Sequence, residues 1–319
     1  MMTGLFWALS RLLLCITSVL AMVSWSSQSE ASQDSLRDEP AWTLVWSDEF
    51  NGAAGIGVDA QNWLYDIGTG YGCAGCPSNW GTGEIETMTG NTDNVYQDGV
   101  GHLAIKPTHV GTDPLAGWTS GRIETQRTDF APPTGGVLAV EASIQQPNVS
   151  GVSALGYWPA FWMLGAQFRG NYLNWPRVGE IDIMEGVNGL DSVWVTLHCG
   201  VPSGGPCNET IGKSSGRIPC TGCQAAFHTY RVEIDRSFSP EQIRWYLDGV
   251  NIHALNANQV DSTHPSTWAE AVNHGFFIII NVAMGGGFPN GVSGTLTPTL
   301  STTSEIAMLV DYVRVYMRQ

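Results

Sequence analysis

Residues 174–189 read NWPRVGEIDIMEGVNG, and the rest of the chain is best understood outward from them. Three carboxylates, Glu180, Asp182 and Glu185, fall within six residues of otherwise apolar, β-prone sequence. Side chains alternate across a strand, so Glu180 and Asp182 share one face and Glu185 has the opposite parity. One extra residue at Ile183 or Met184, a β-bulge, brings all three carboxylates to the same face. Burying like charges together is costly and persists where chemistry needs it, so the bulge is the expectation.

With the bulge, four effective steps of about 3.3 Å put the Cα atoms of Glu180 and Glu185 ~13 Å apart. Two glutamate side chains leaning together, each reaching about 4 Å, leave ~5 Å between carboxyl groups, the spacing of a retaining rather than an inverting glycosidase. Such a pair needs one ionised carboxylate to attack an anomeric carbon and one protonated carboxyl to serve the leaving oxygen. Asp182, between them, is placed to hydrogen-bond the nucleophile and to raise the acid's pKa by like-charge repulsion. A solvated acidic strand edge is the plain alternative, but it does not need the apolar frame of Ile181, Ile183 and Met184. A calcium site is the other, since carboxylates are preferred calcium ligands.

Upstream, the strand-like WPAFWM places Trp158 and Trp162 on one face, and Trp175 precedes Glu180 by five residues. Aromatic rings stack on flat partners, the apolar face of a pyranose among them. Any one of these tryptophans taken alone reads as core; their clustering beside the carboxylates favours a cleft.

The chain has 319 residues, 43% hydrophobic and only 13% charged, enough for a sizeable core. The formal charge of -15 argues against nucleic acid and anionic substrates. Residues 1–31, with Arg11 ahead of the apolar run Leu12 to Trp25, read as a signal peptide. The run falls short of the ~20 residues of a spanning helix, although an uncleaved anchor is the rival. No membrane association is expected once the leader is removed. Six cysteines follow it, an even number that implies disulfides in an exported chain. A short staple between Cys199 and Cys207 is plausible from the turn-rich segment they flank; the other pairings stay open. Zinc is the alternative, because CAGC at 73–76 and CTGC at 220–223 have ligand-like spacing.

Residues 32–41 read as a mobile polar linker, and 42–319 as a single catalytic domain. Within it, short β-like runs alternate with Gly, Asn, Asp and Pro clusters, at 102–106, 136–144, 158–164, 193–198, 228–235, 243–247 and 308–317. Asp248-Gly249 marks a hairpin turn. Phe276 to Ala283 is nearly all apolar, a strand buried on both faces. The best helical run, Ser266 to Val272, is short. Many short strands without alternating helices predict an all-β sandwich, with no reason to expect more than a monomer.

GEIDIMEGVNG resembles the ExDxxE signature of family 16 glycoside hydrolases, in the laminarinase-like form with the extra residue. SDEFNG (47–52), SGRIET (120–125), WPAFWMLG (158–165), VTLHCG (195–200), GGPCNET (204–210), NVAMGGGFPNG (281–291) and VDYVRVY (310–316) are also similar to the family. The resemblance implies a concanavalin A-like jelly roll of two curved antiparallel sheets with a glucan cleft on the concave face. It implies Glu180 as nucleophile, Glu185 as acid/base and Asp182 as the assisting carboxylate. Trp162 and Trp175 would be cleft platforms, Arg122 and Glu84 would lie near the glycone side, and His198 would face the cleft. A structural calcium would use the Asp311 side chain and carbonyls near Glu49 and Gly101; catalysis would need no cofactor. The implied activity is a secreted, retaining endo-β-glucanase for β-1,3 or mixed β-1,3/1,4 glucans. A galactan hydrolase, a cell-wall transglycosylase and a non-catalytic lectin-like module are the alternatives on the same fold. The loops 71–80, 165–174 and 199–223 depart from common laminarinases and leave the exact glucan open. Asn148 and Asn208 lie in glycosylation sequons, meaningful in a eukaryotic source.

Overall fold

The computed structural model describes residues 41–319; the expected signal peptide, and the expected linker apart from Ala41, lie outside the described residues. Alternating apolar residues build two main sheets of eight strands each. One runs, neighbour to neighbour, Val250–Asn256, Gln242–Leu247, His228–Asp235, Val137–Gln145, Met308–Arg318, Leu103–Ile105 and Val95–Gln97, with Thr43–Asp48 also paired to Met308–Arg318. The other runs Lys213–Ser214, Ser192–His198, Glu180–Glu185, Tyr157–Gly165, Phe276–Met284, Arg122–Thr125 and Trp63–Tyr65, with Ile218–Pro219 paired to Ser192–His198. Every pairing in these two sheets is antiparallel, as expected of a jelly roll. A small third sheet departs from that expectation, because Thr87–Met88 and Trp118–Ser120 run parallel.

The two sheets close on each other through their inward-facing residues. Val140, Val232, Trp245, Val313 and Val315 from the first meet Phe161, Ile181, Met184, Val195, Leu197, Ile278 and Ile280 from the second in one buried cluster. Burial of each such side chain stabilises the fold by about 1.5–3 kcal/mol. Trp245 crosses this layer and donates its indole N–H to the Asp182 carbonyl at 2.9 Å, pinning the carboxylate strand from beneath.

Several local expectations hold. Phe276–Met284 is buried at every position. The Asp248-Gly249 turn has φ of 49° and 77°, the positive pair that a two-residue hairpin requires. The expected helical run forms Thr267–Val272, one of three short α-helices among the described residues. The cysteines pair locally, Cys73 with Cys76, Cys199 with Cys207 and Cys220 with Cys223. This corrects the zinc alternative, since the CAGC and CTGC sulfurs are spent on each other.

Candidate active site

The ladder around Glu180–Glu185 contains the bulge. Toward Tyr157–Gly165, Leu164 faces Glu180, Trp162 faces Asp182 and Ala160 faces Glu185, with Phe161 opposite Met184. Ile183 is therefore the extra residue. On the other side His198, Thr196 and Trp194 face Glu180, Asp182 and Glu185. Residues 194, 196 and 198 share a parity, as do 160, 162 and 164, so all three carboxylates stand on one face of the sheet. Ile183 and Met184 are buried in the core, and two successive apolar side chains on the inner face are what the bulge accommodates.

That face forms the floor of a cleft of about 260 Å³. Trp158, Trp162, Trp175, Arg122 and Glu84, each expected from the sequence, line it with the three carboxylates. His198 stands beside them, its Nε2 3.5 Å from Asp182 Oδ2 and 4.0 Å from Glu180 Oε1. Trp158 is more than a stacking surface, because its indole N–H donates to Glu185 Oε1 at 2.9 Å. Trp175 does the same for Glu180 Oε2 at 3.1 Å. Trp162 donates instead to Asn281 Oδ1 at 2.8 Å, which sets the ring's angle in the floor.

Arg122 is almost fully buried, donating to Asp66 and to the Tyr71 hydroxyl at 2.8 Å each. Its guanidinium lies 4.5 Å from the Trp80 ring centre and 4.9 Å from that of Trp162, a cation held between aromatic faces. Glu84 accepts from the Thr82 hydroxyl at 2.6 Å and neighbours the fully buried Glu86.

Burial raises the pKa of every carboxylate in the trio. For Glu185 it outweighs the Trp158 N–H and the His198 charge, and the carboxyl is pushed up to about 7. For Glu180 the rise from burial is opposed by His198, Arg122 and the Trp175 N–H. Asp182, between two other carboxylates, is pushed well above its ordinary value by burial and then by Glu185 and Glu180. Its Oδ2 makes no hydrogen bond, and His198 Nε2 stands 3.5 Å from it. His198 goes the other way: burial lowers its pKa, but the Glu209 hydrogen bond and the charges of Asp182 and Glu180 lift it to about 10.

Reasoning from sequence missed Tyr71, Trp80, Tyr172 and Asn281, all in the cleft lining, and Trp194 opposite Glu185. Asn281 had a signal, a lone amide in an apolar strand. Trp194 had one too, its parity with His198. The rings of Tyr71 and Tyr172 sit on loops and that of Trp80 on the 3-10 turn Asn79–Gly81, where no periodicity reports them.

On the far sheet, Asp311 falls at the register shift between Val310 and Tyr312. On the side away from Val137–Gln145, its strand pairs first with the start of Leu103–Ile105 and then with the end of Thr43–Asp48, which brings Glu49 and Gly101 to the same edge. The Glu49 carboxylate is taken by Arg314, at 2.9 and 2.7 Å, so only its carbonyl is free to ligate. The remaining donors are oxygens, and they fit a hard cation.

Two carboxyl groups held differently beneath flat aromatic rings form equipment for cutting a glycosidic bond, and the protein is a glycoside hydrolase. A family model for the XgeA-like catalytic GH16 domain matches residues 119–231. The chain is 32% identical to the beta-glucanase of Rhodothermus marinus, over 87% of this chain and 86% of that one. It belongs to glycoside hydrolase family 16. It is also similar to the glucan endo-1,3-beta-glucosidase A1 of Niallia circulans, 33% identical over 86% of this chain, but spans only 38% of that protein's length. Among solved structures, the endo-1,3-beta-glucanase of Streptomyces sioyaensis superposes with a TM-score of 0.81 at 55% identity, covering 87% of this chain and 97% of that one. No helix among the described residues is long and apolar enough to cross a membrane.

Proposed function

We propose that the protein is a secreted, retaining endo-β-glucanase acting on β-1,3 and mixed β-1,3/1,4 glucans. One observation carries this reading. The bulge brings Glu180 and Glu185 to one face while their partners differ, Glu185 resting near 7 beneath Trp158 and Glu180 lying against His198. The Glu180 carboxylate attacks the anomeric carbon as the Glu185 carboxyl protonates the departing glycosidic oxygen, leaving a glycosyl ester on Glu180. The Glu185 carboxylate then takes a proton from water, and the resulting hydroxide equivalent displaces Glu180. Asp182 assists from between them, 3.5 Å from the His198 Nε2 that also faces Glu180. Trp158, Trp162 and Trp175 stack on the sugars, with Arg122 and Glu84 toward the glycone side. Side chains and water complete this cycle without a cofactor. A calcium held by Asp311 and the carbonyls of Glu49 and Gly101 would be structural, tying three strands at the far edge of the sandwich.

Export, with removal of residues 1–31 and a single catalytic domain over 42–319, is supported by three local disulfides, a pattern of oxidising compartments. A glucan is favoured over a sulfated galactan by the net charge of -15. A monomer is part of the same reading. Glu180→Ser is expected to fold and to hydrolyse nothing. The test is digestion of laminarin, lichenan, agarose and xyloglucan, with the anomer of the first product followed by NMR. Wild-type turnover by the variant, or an inverted first product, would overturn the reading.

A further inference from the structure

Glu209 takes no part in the two-carboxylate cycle, yet its side chain is 0% exposed and turned to His198. One carboxylate oxygen accepts the Cys199 N–H at 2.8 Å, and the other lies 2.7 Å from His198 Nδ1. The backbone of Glu209 is clamped as well, exchanging two hydrogen bonds of 2.6 Å with Gly204. The Cys199–Cys207 disulfide ties the chain two residues ahead of Glu209 to the residue after His198. With Nδ1 fixed on Glu209, the ring presents Nε2 to Asp182 and Glu180. Gly212, at a φ of 74°, lies flat against the ring, where a Cβ would come within 3.0 Å of Nδ1.

We propose that Glu209 is a positioning residue that acts through His198, orienting its ring and keeping it a cation against Glu180. The inference rests on the roles given above to Glu180 and Glu185. The charged groups facing His198 are few. Glu180 and Asp182 approach from the neighbouring strand and Glu209 from just beyond the disulfide-closed loop, while Trp175 covers the ring with an uncharged face. Lys213, on the other adjacent strand, pairs with Leu197 and so belongs to the opposite face. Three carboxyl groups therefore surround one imidazole, and only Glu209 is outside reach of a sugar. Its charge favours the imidazolium, and the imidazolium in turn favours an ionised Glu180. Without it, burial drives the ring neutral and the proton returns to Glu180.

The test is an NMR titration of the His198 ring in wild type, Glu209→Gln and Glu209→Asp, with kcat/KM measured across pH. The wild-type ring is expected to stay protonated through about pH 8, above the ordinary histidine value of about 6.5. In Glu209→Gln the ring loses its proton below pH 7. The acidic limb of kcat/KM then moves up by about one unit, a roughly tenfold loss at the foot of that limb, with KM unchanged at the optimum. Glu209→Asp restores much of both. A wild-type His198 that is neutral at pH 7 overturns the proposal without any variant, should Glu209→Gln not fold. So does a Glu209→Gln enzyme with a protonated ring and an unmoved limb. The titration does not depend on which carboxylate attacks. Activity in Glu180→Ser would thus refute the catalytic roles while leaving the Glu209–His198 linkage standing.

Discussion

Replacing Trp158 by Phe removes one N–H, the donor 2.9 Å from Glu185 Oε1, and keeps a ring to pack against Phe288. A hydrogen bond to a charged group contributes about 1.5–3 kcal/mol. Trp158 is half-buried and water can replace part of what is lost, so the low end applies, about 1.5 kcal/mol or roughly one pKa unit. The N–H stabilises the anion of Glu185. Without it the proton is held to higher pH, and a carboxyl now at about 7 moves roughly one unit upward. The acid must be protonated when the leaving oxygen departs, so the alkaline limb of kcat/KM moves up and the acidic limb stays. Trp175→Phe has the mirror effect. It strips the 3.1 Å donor from Glu180, which must be ionised to attack, and so moves the acidic limb up while the alkaline limb stays. One variant widens the bell and the other narrows it. The assay is initial rates on a soluble β-1,3-glucan far below KM, from about pH 4 to 9 at constant ionic strength. Limbs moving in the reverse assignment would exchange the roles of the two glutamates; a profile unmoved in both variants would refute the reasoning altogether.

Two further outcomes follow from buried groups outside the chemistry. Glu86 is fully buried, with Oε2 on the Met284 N–H and Oε1 unpartnered, and burial and then Glu84 push its pKa well above the ordinary 4.5. A raised carboxyl keeps its proton in the fold but loses it in the unfolded chain. Its contribution is therefore whole below about pH 4.5 and is lost as pH rises through the folded value. Glu86→Gln is expected to raise the melting midpoint at pH 8 and to change it little at pH 4.5; equal shifts at both would count against a protonated Glu86. Removing the Cys199–Cys207 staple with paired serines frees a short loop, a loss of about 2–3 kcal/mol on the chain-entropy estimate. A melting midpoint lowered by roughly 5 °C is expected in thermal denaturation, and an unchanged one would mean the loop is held by its hydrogen bonds alone.

Much of the fold was legible because its signals are local. The parity of Glu185 against Glu180 needed only strand alternation, and the register around Ile183 bears it out. Phe276–Met284 announced its burial by composition, and Asp248-Gly249 announced a turn. What escaped was set by distance in the chain. Glu209 meets His198 only because a loop folds back, and a glutamate in a turn-rich segment looks like any solvated charge. The indole N–H bonds of Trp158 and Trp175 escaped for another reason. Sequence reports that a ring is present, while the direction of its edge depends on a rotamer set by packing. The same limit hides which tryptophans are fully buried, such as Trp63, Trp118, Trp245 and Trp268, and which, like Trp158, Trp162 and Trp175, stay half-buried in the cleft.

The two glutamates begin as equals: the same side chain, on the same strand, with similar burial. Their difference comes from the neighbouring strand, whose cleft-facing residues run Trp194, Thr196, His198. Its polar end lies against Glu180 and its aromatic end against Glu185. A regular strand would place the residue after Met184 on the core side, and the cleft face would lose Glu185. The extra residue at Ile183 returns Glu185 to the cleft at the aromatic end, where only one N–H and a distant imidazolium oppose desolvation. The bulge thus does two things at once. It restores the parity of the second carboxyl, and it delivers that carboxyl to the part of the cleft where a proton is retained near neutral pH. Shifting the strand by one residue would undo both, because facing side and facing partner are fixed by the same register.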